Sequence, residues 1–170
     1  MRTAHDLTQL LDDFCEVARL ARLRIARSDI SGEFQPAPHN RPRSLPTGRQ
    51  AVYGFVLSGC CLKVGKAGPK TAARYTSQHY LPNSCNSNLS KSLLSGRDRL
   101  RGLVAADVCD ALVCLDEQSV GPWVERQCAR FNVLIALKYE EYELSLLEAF
   151  IQCRMRPVFE GRHRARWVPV

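Results

Sequence analysis

Residues 51–57 (AVYGFVL) and 61–64 (CLKV) are short apolar runs separated by little more than Ser58 and Gly59. A link this short joins antiparallel strands, because a two-residue turn with left-handed backbone follows the natural twist of a strand pair. A β-hairpin therefore opens the main domain, and whatever follows must pack on it. Residues 66–69, with Gly68 and Pro69, turn the chain into a helix over 70–78, and residues 79–88 are polar and contain Pro82, hence a loop. The pattern then predicts a short helix over 89–102, a strand over 109–115, a helix over 123–130, a strand over 132–138 and a helix over 141–154 that Pro157 stops. The sum is an α+β fold: a small mixed or antiparallel sheet of about three strands, flanked by helices.

Upstream of the hairpin, Leu7, Leu10, Leu11, Phe14, Val17, Ala18, Ala21 and Ile25 recur at helical spacing, and Thr3 with Asp6 has the form of a capping box. Pro36, Pro38, Pro42 and Pro46, with Gly32 and Gly48, then exclude regular structure over residues 28–48. The chain divides into an amphipathic helical appendage (1–28), a Pro-rich linker (29–49), the main domain (50–161) and a basic tail (162–170). Arg19, Arg22, Arg24 and Arg27 read first as a solvated face on a helix packed on the core or on a twin subunit, with DNA contact as the alternative.

With 170 residues, 45% of them apolar, the chain can bury one good core. Its formal charge of +7 and pI near 9.2 favour a polyanionic partner, since clustered Lys and Arg release counterions from phosphates. No apolar run approaches the roughly 18 residues a membrane span needs, and the N-terminus has no secretory pattern, so a cytoplasmic protein without membrane contact is expected. The eight cysteines read as free, mostly buried thiols, because no close pair has zinc-ligand spacing.

Chemistry enters at Ala51-Val52-Tyr53, with Lys63-Val64-Gly65-Lys66 following so that Lys63 stands ten residues after Tyr53. Adjacent strands bring Tyr53 and Lys63 together if the register puts both on one face. An ammonium there favours tyrosinate and lowers a phenol pKa that starts near 10, as a base acting on water requires. The two segments resemble the paired signature of the GIY-YIG nuclease family, with Ala51 where the family has Gly and Lys63 where it usually has Tyr. Some restriction-enzyme members also carry Lys there, so the resemblance implies that Tyr53 activates water and that Lys63 orients or polarises it.

Gly65-Lys66-Ala67-Gly68-Pro69 and Arg74 resemble the family's strand-to-helix turn and helix-borne Arg, whose planar fork suits the oxygens of a reacting phosphate. Many members place a Tyr or His one turn later; His79 lies five residues after Arg74 where four is usual. Either the helix ends in an irregular turn or Gln78 faces the site, and His79 is the favoured candidate. Residues 146–151 and 156–160 resemble the final motif, in which a helical Glu, here Glu148, holds the metal. Glu148 also stands among Leu147, Phe150 and Ile151, where an acid is costly unless paired or metal-bound. Glu160 occupies the place of a frequent Asn, as a supporting contact or a solvated acid.

The resemblance spans residues 50–161 and implies a metal-dependent DNA endonuclease. Tyr53 takes the proton of an in-line water, Arg74 steadies the phosphoryl oxygens, and Mg2+ (or Mn2+) on Glu148 assists the leaving oxygen. Lys66, Arg154, Arg156, Arg162 and Arg164 are the expected phosphate contacts on the nucleic acid. Two other readings stand beside it: a catalytically inactive nucleic-acid-binding module on the same fold, and an interaction protein that pairs, as a homodimer or with another partner, through the N-terminal helix.

Overall fold

The computed structural model describes residues 3–160. The hairpin forms from β2 (Arg49–Leu57) and β3 (Cys60–Ala67), and its two turn residues, Ser58 and Gly59, both have positive φ, 50° and 83°. Around it come α1 (Ala4–Leu20) and β1 (Ile30–Gln35) on the N-terminal side. On the C-terminal side are α2 (Ala72–Thr76), α3 (Leu89–Gly96), α4 (Ala106–Val113), α5 (Val120–Gln127), β4 (Ala129–Ala136) and α6 (Glu141–Met155). The sheet is antiparallel throughout in the order β1-β4-β2-β3, so the hairpin's second strand is an edge.

Both faces of the sheet are covered, which makes three layers and two cores. Val52, Val56, Val64, Phe131, Val133 and Ile135 meet Leu7, Leu11 and Phe14 of α1 and Leu144, Leu147 and Ile151 of α6. Ala51, Tyr53, Phe55 and Leu57 on the opposite face pack under Tyr75, Leu93, Leu112 and Trp123 from the region between β3 and β4. That double covering explains why β2 is buried along nearly its whole length and reads as a continuous apolar run.

The α+β class holds, and five details of the reading change. The sheet has four strands rather than about three, because β1 lies inside the supposed linker. Gly32 on β1 is what lets α1 close over that strand, since a Cβ there would stand 2.8 Å from Leu7 Cδ2. The N-terminal helix is accordingly no appendage: Leu7, Leu10, Leu11, Phe14 and Ala18 are buried in the chain's own core, so the stripe that suggested a twin subunit faces its own sheet. Its capping box forms as read, with Asp6 N–H donating to Thr3 Oγ1 and Thr3 N–H to Asp6 Oδ2, both at 3.2 Å.

Residues 109–115, read as a strand, belong largely to helix α4, whose Val108 and Leu112 turn inward one turn apart, with Leu115 packed on the same core just past its end. The strand read over 132–138 is β4, beginning at Ala129, and the helix before it ends at Gln127. The cysteines are free but not mostly buried: Cys61 and Cys128 are, Cys114 and Cys153 are exposed and the others lie between. Among the described residues no helix is long and apolar enough to cross a membrane.

Candidate active site

The two faces of the sheet meet at the edge strand β3, and the predicted residues gather there. Tyr53 stands opposite Gly65 and Phe55 opposite Lys63, so Tyr53 and Lys63 do share a face of the hairpin. Gly65 leaves room for the phenol: a Cβ there would lie 3.1 Å from the Tyr53 hydroxyl. After α6, Val158 and Phe159 N–H groups donate to the carbonyls of Cys61 and Leu62 at 3.0 and 2.9 Å, strapping this segment along the edge of β3. The strap delivers Glu160 to Lys63, with a carboxylate oxygen 2.7 Å from Nζ. Lys63 and Glu160, two of the positions at which the resemblance is imperfect, are thus each other's partners.

Helix α2 stops at Thr76, Ser77 leaves helical geometry at φ −129°, and a single tight turn follows over Gln78–Tyr80. This irregular ending absorbs the extra residue and brings His79 Nε2 to 2.8 Å from the Tyr53 hydroxyl. The tautomer follows from the other nitrogen. Leu89 N–H donates to His79 Nδ1 at 3.1 Å, so Nδ1 is an acceptor and the single ring proton of neutral His79 sits on Nε2. Nε2–H then donates to the Tyr53 oxygen. Burial first, then the charges of Lys63, Arg130 and Arg74, push His79 down to about 3, so the ring stays neutral near pH 7.

Tyr53 itself is only 1% exposed. Burial pushes its phenol well above the ordinary value, against the pull of Arg130 and Arg74. This overturns the expectation that Lys63 lowers it. The Lys63 ammonium is bound to Glu160 and to Ser87 Oγ at 3.2 Å, so its charge is neutralised locally. Arg74 is exposed and, among the described residues, has no ion-pair or hydrogen-bond partner, which leaves its guanidinium free for a ligand.

Glu148 enters from α6, its side chain 22% exposed. Its carboxyl is raised above the usual range, chiefly by burial and further by Glu160 and Glu141, while Lys66 and Arg74 counteract. Lys66 Nζ sits 2.5 Å from Glu141 and 2.6 Å from Ser145 Oγ, but 3.9 Å from Glu148. A half-buried carboxylate, crowded by other acids and served by one distant ammonium, fits a divalent cation, whose charge would relieve the crowding. Among the described residues no three His, Cys, Asp or Glu side chains cluster as a metal-holding group. A metal here would rest on Glu148 and take its remaining ligands from water and phosphate, which Mg2+ accepts.

The expected phosphate contacts divide. Lys66 lies in the site, bound to acids. Arg154 instead pairs with Asp13 of α1 at 2.9 Å and so is committed to holding two helices together. Arg156 is exposed and takes the left-handed conformation that ends α6. Arg162 and Arg164 lie outside the described residues.

The Lys63 pair carries a stability prediction. Glu160→Gln leaves an ammonium only 4% exposed without its carboxylate, at an expected cost of about 2–4 kcal/mol, and adding Lys63→Met should recover most of it. Urea unfolding of the three variants checks this; additive losses would mean that the pair is not coupled.

Sequence reasoning missed Arg130, which is wholly buried on β4 behind Tyr53. It donates to Asn132 Oδ1, Tyr80 Oη and the Tyr75 carbonyl at 2.9, 2.8 and 2.7 Å, and lies over the rings of Tyr53, Phe55 and Tyr75. His39, from the Pro-rich segment, joins the same network through Tyr80 Oη at 2.8 Å. The available signal was the pair Arg130 and Asn132, polar residues on alternate positions leading into an apolar strand. No protein-family model, curated protein sequence or solved structure matches this chain.

Proposed function

We propose that this chain is a metal-dependent endonuclease of the GIY-YIG type that hydrolyses DNA phosphodiester bonds. One observation carries the reading: Tyr53, Lys63, His79 and Glu148, scattered over nearly a hundred residues, come together at one sheet edge within reach of Arg74's charge, and Lys63 pairs with Glu160. On this reading, Arg74 binds the non-bridging oxygens of the scissile phosphate as charge grows on them. The Tyr53 oxygen, fixed by His79 Nε2–H, receives the proton of the attacking water in the fraction of molecules whose phenol has first lost its own proton to solvent. Lys63, paired with Glu160 and held by Ser87, orients the groups around Tyr53 rather than lending the site a net charge. Glu148 would hold Mg2+ or Mn2+, which supplies Lewis-acid stabilisation of the departing 3′ oxygen.

The burial of Tyr53 and its raised phenol favour a second reading, a nucleic-acid-binding module without catalysis. The two part company over metal and pH. Supercoiled and branched DNA should be nicked with Mg2+ or Mn2+ and left intact with chelator, and the rate should climb with pH through the alkaline range, because the buried phenol is mostly protonated at neutrality. Binding that survives chelator, with no cut at any pH, would decide for the module.

A further inference from the structure

We propose that Arg130 is a positioning residue for Tyr53: its guanidinium, 5.2 Å from the centre of the Tyr53 ring, keeps a fixed positive charge next to the ring whose oxygen becomes negative when the phenol gives up its proton. For its catalytic consequence this rests on the nuclease reading; the coupling between the two side chains does not.

Arg130 is fully buried, and among the described residues no carboxylate lies within ion-pair distance of it. A buried cation is costly unless compensated. Its compensation is a carbonyl, an amide, a phenol and three aromatic rings, with Cζ 5.2 Å from the centroid of Tyr53, 5.2 Å from Phe55 and 4.8 Å from Tyr75. The one acid linked to it is exposed Glu33, reached through Asn132 Nδ2 at 3.2 Å. An apolar side chain would fill the volume without that cost, so the charge needs a purpose inside the protein, and burial keeps it from touching DNA. The ring above it is that of the residue whose function requires an anion. Tyr53 is also faced by Arg74, Glu148, Cys85 and neutral His79. Arg74 and Glu148 are at least partly exposed, whereas Arg130 is wholly buried and held by three hydrogen bonds.

The test reads the phenol directly. A fluorinated tyrosine at position 53 of the full chain is intrinsically more acidic, which brings its ionisation into an accessible range, and 19F NMR follows it against pH. Arg130→Met should raise the midpoint by about one to two pH units, and Arg130→Lys, which keeps the charge and loses the planar fork, by less than about half of that. Glu33→Gln, a surface change that spares the fold, should lower the midpoint by no more than a few tenths by removing the acid that Asn132 links to Arg130. Equal shifts in the Met and Lys variants, or no shift in Met, would reduce Arg130 to packing. If the Met variant does not fold, Arg130→Gln, which keeps a hydrogen-bond donor and loses the charge, takes its place, and an unmoved midpoint there overturns the proposal. No DNA is present, so the result is independent of whether the chain cuts.

Discussion

Glu148→Ala should lower Mg2+-supported nicking by about 10³-fold or more while leaving the protein as stable at pH 7 as the parent. The two halves have one cause. Glu148 is the carboxylate on which the metal would rest, so its removal takes away the ion. Its carboxyl is raised by burial and by neighbouring acids, so the ionised form is a strain on the native state that the variant relieves. Glu148→Gln, which keeps the shape, should lose activity equally. Glu141→Ala, at a side chain 71% exposed, should lose little. Tyr53→Phe is expected to cost about 10²–10⁴-fold in rate with DNA retention at low salt nearly unchanged, and Arg74→Ala about 10²–10³-fold with a modest loss of retention as well. Nicking by the Glu148→Ala protein at the parental rate would remove Glu148 from the metal site, and isothermal titration with Mn2+ gives an independent reading of the same loss.

The parts of the fold legible in the sequence are those where local chemistry and tertiary demand agree. Ser58-Gly59 forced the hairpin because both positions need positive φ, and Thr3 with Asp6 capped α1 because both donors are otherwise orphaned. The end of α1 was hidden. Leu23 N–H reaches back to Ala18 O and Arg22 N–H to Arg19 O, a left-handed ending built on Arg22 (φ 60°) where the usual signal is glycine. Strand β1 was hidden because six residues containing Gly32, Ser31 and Glu33 carry no alternation of their own; pairing with β4 makes them a strand. Helix α4 was misread because its β-prone residues mask a helical spacing. In the candidate site, the places of Tyr53, Lys63 and Glu148 came from the resemblance, and their acid–base state was legible from neither resemblance nor spacing. Spacing predicts that Lys63 approaches Tyr53; it does not predict that Glu160, 97 positions away, neutralises Lys63, or that burial outweighs every charge around the phenol. Arg130 escaped because a charged residue beside a helix end reads as solvated until a sheet closes over it.

Acid should unfold this protein earlier than its carboxylates alone would dictate, through His79. The ring is neutral and buried, with its folded pKa lowered from 6.5 to about 3, whereas the unfolded chain protonates it at the ordinary value. Below about pH 6.5 the unfolded state therefore binds one more proton than the native state. The stability His79 contributes is complete above that pH and is lost as pH falls toward 3, at a slope of up to about 1.4 kcal/mol per pH unit. His39, also lowered by burial and held between the Cys128 carbonyl and Tyr80 Oη, acts in the same direction. Glu148 works oppositely as pH rises from its ordinary 4.5, and it cancels when two proteins that share it are compared. His79→Gln isolates the effect, since its amide can donate to Tyr53 and accept from Leu89 without titrating. Urea unfolding from pH 8 to pH 4 should give a parent curve that falls more steeply than the variant's below pH 6.5, by about 2–3 kcal/mol over the range. Parallel curves would mean that His79 is protonated in the native state, and the Nε2–H···Tyr53 bond would then belong to a charged imidazolium.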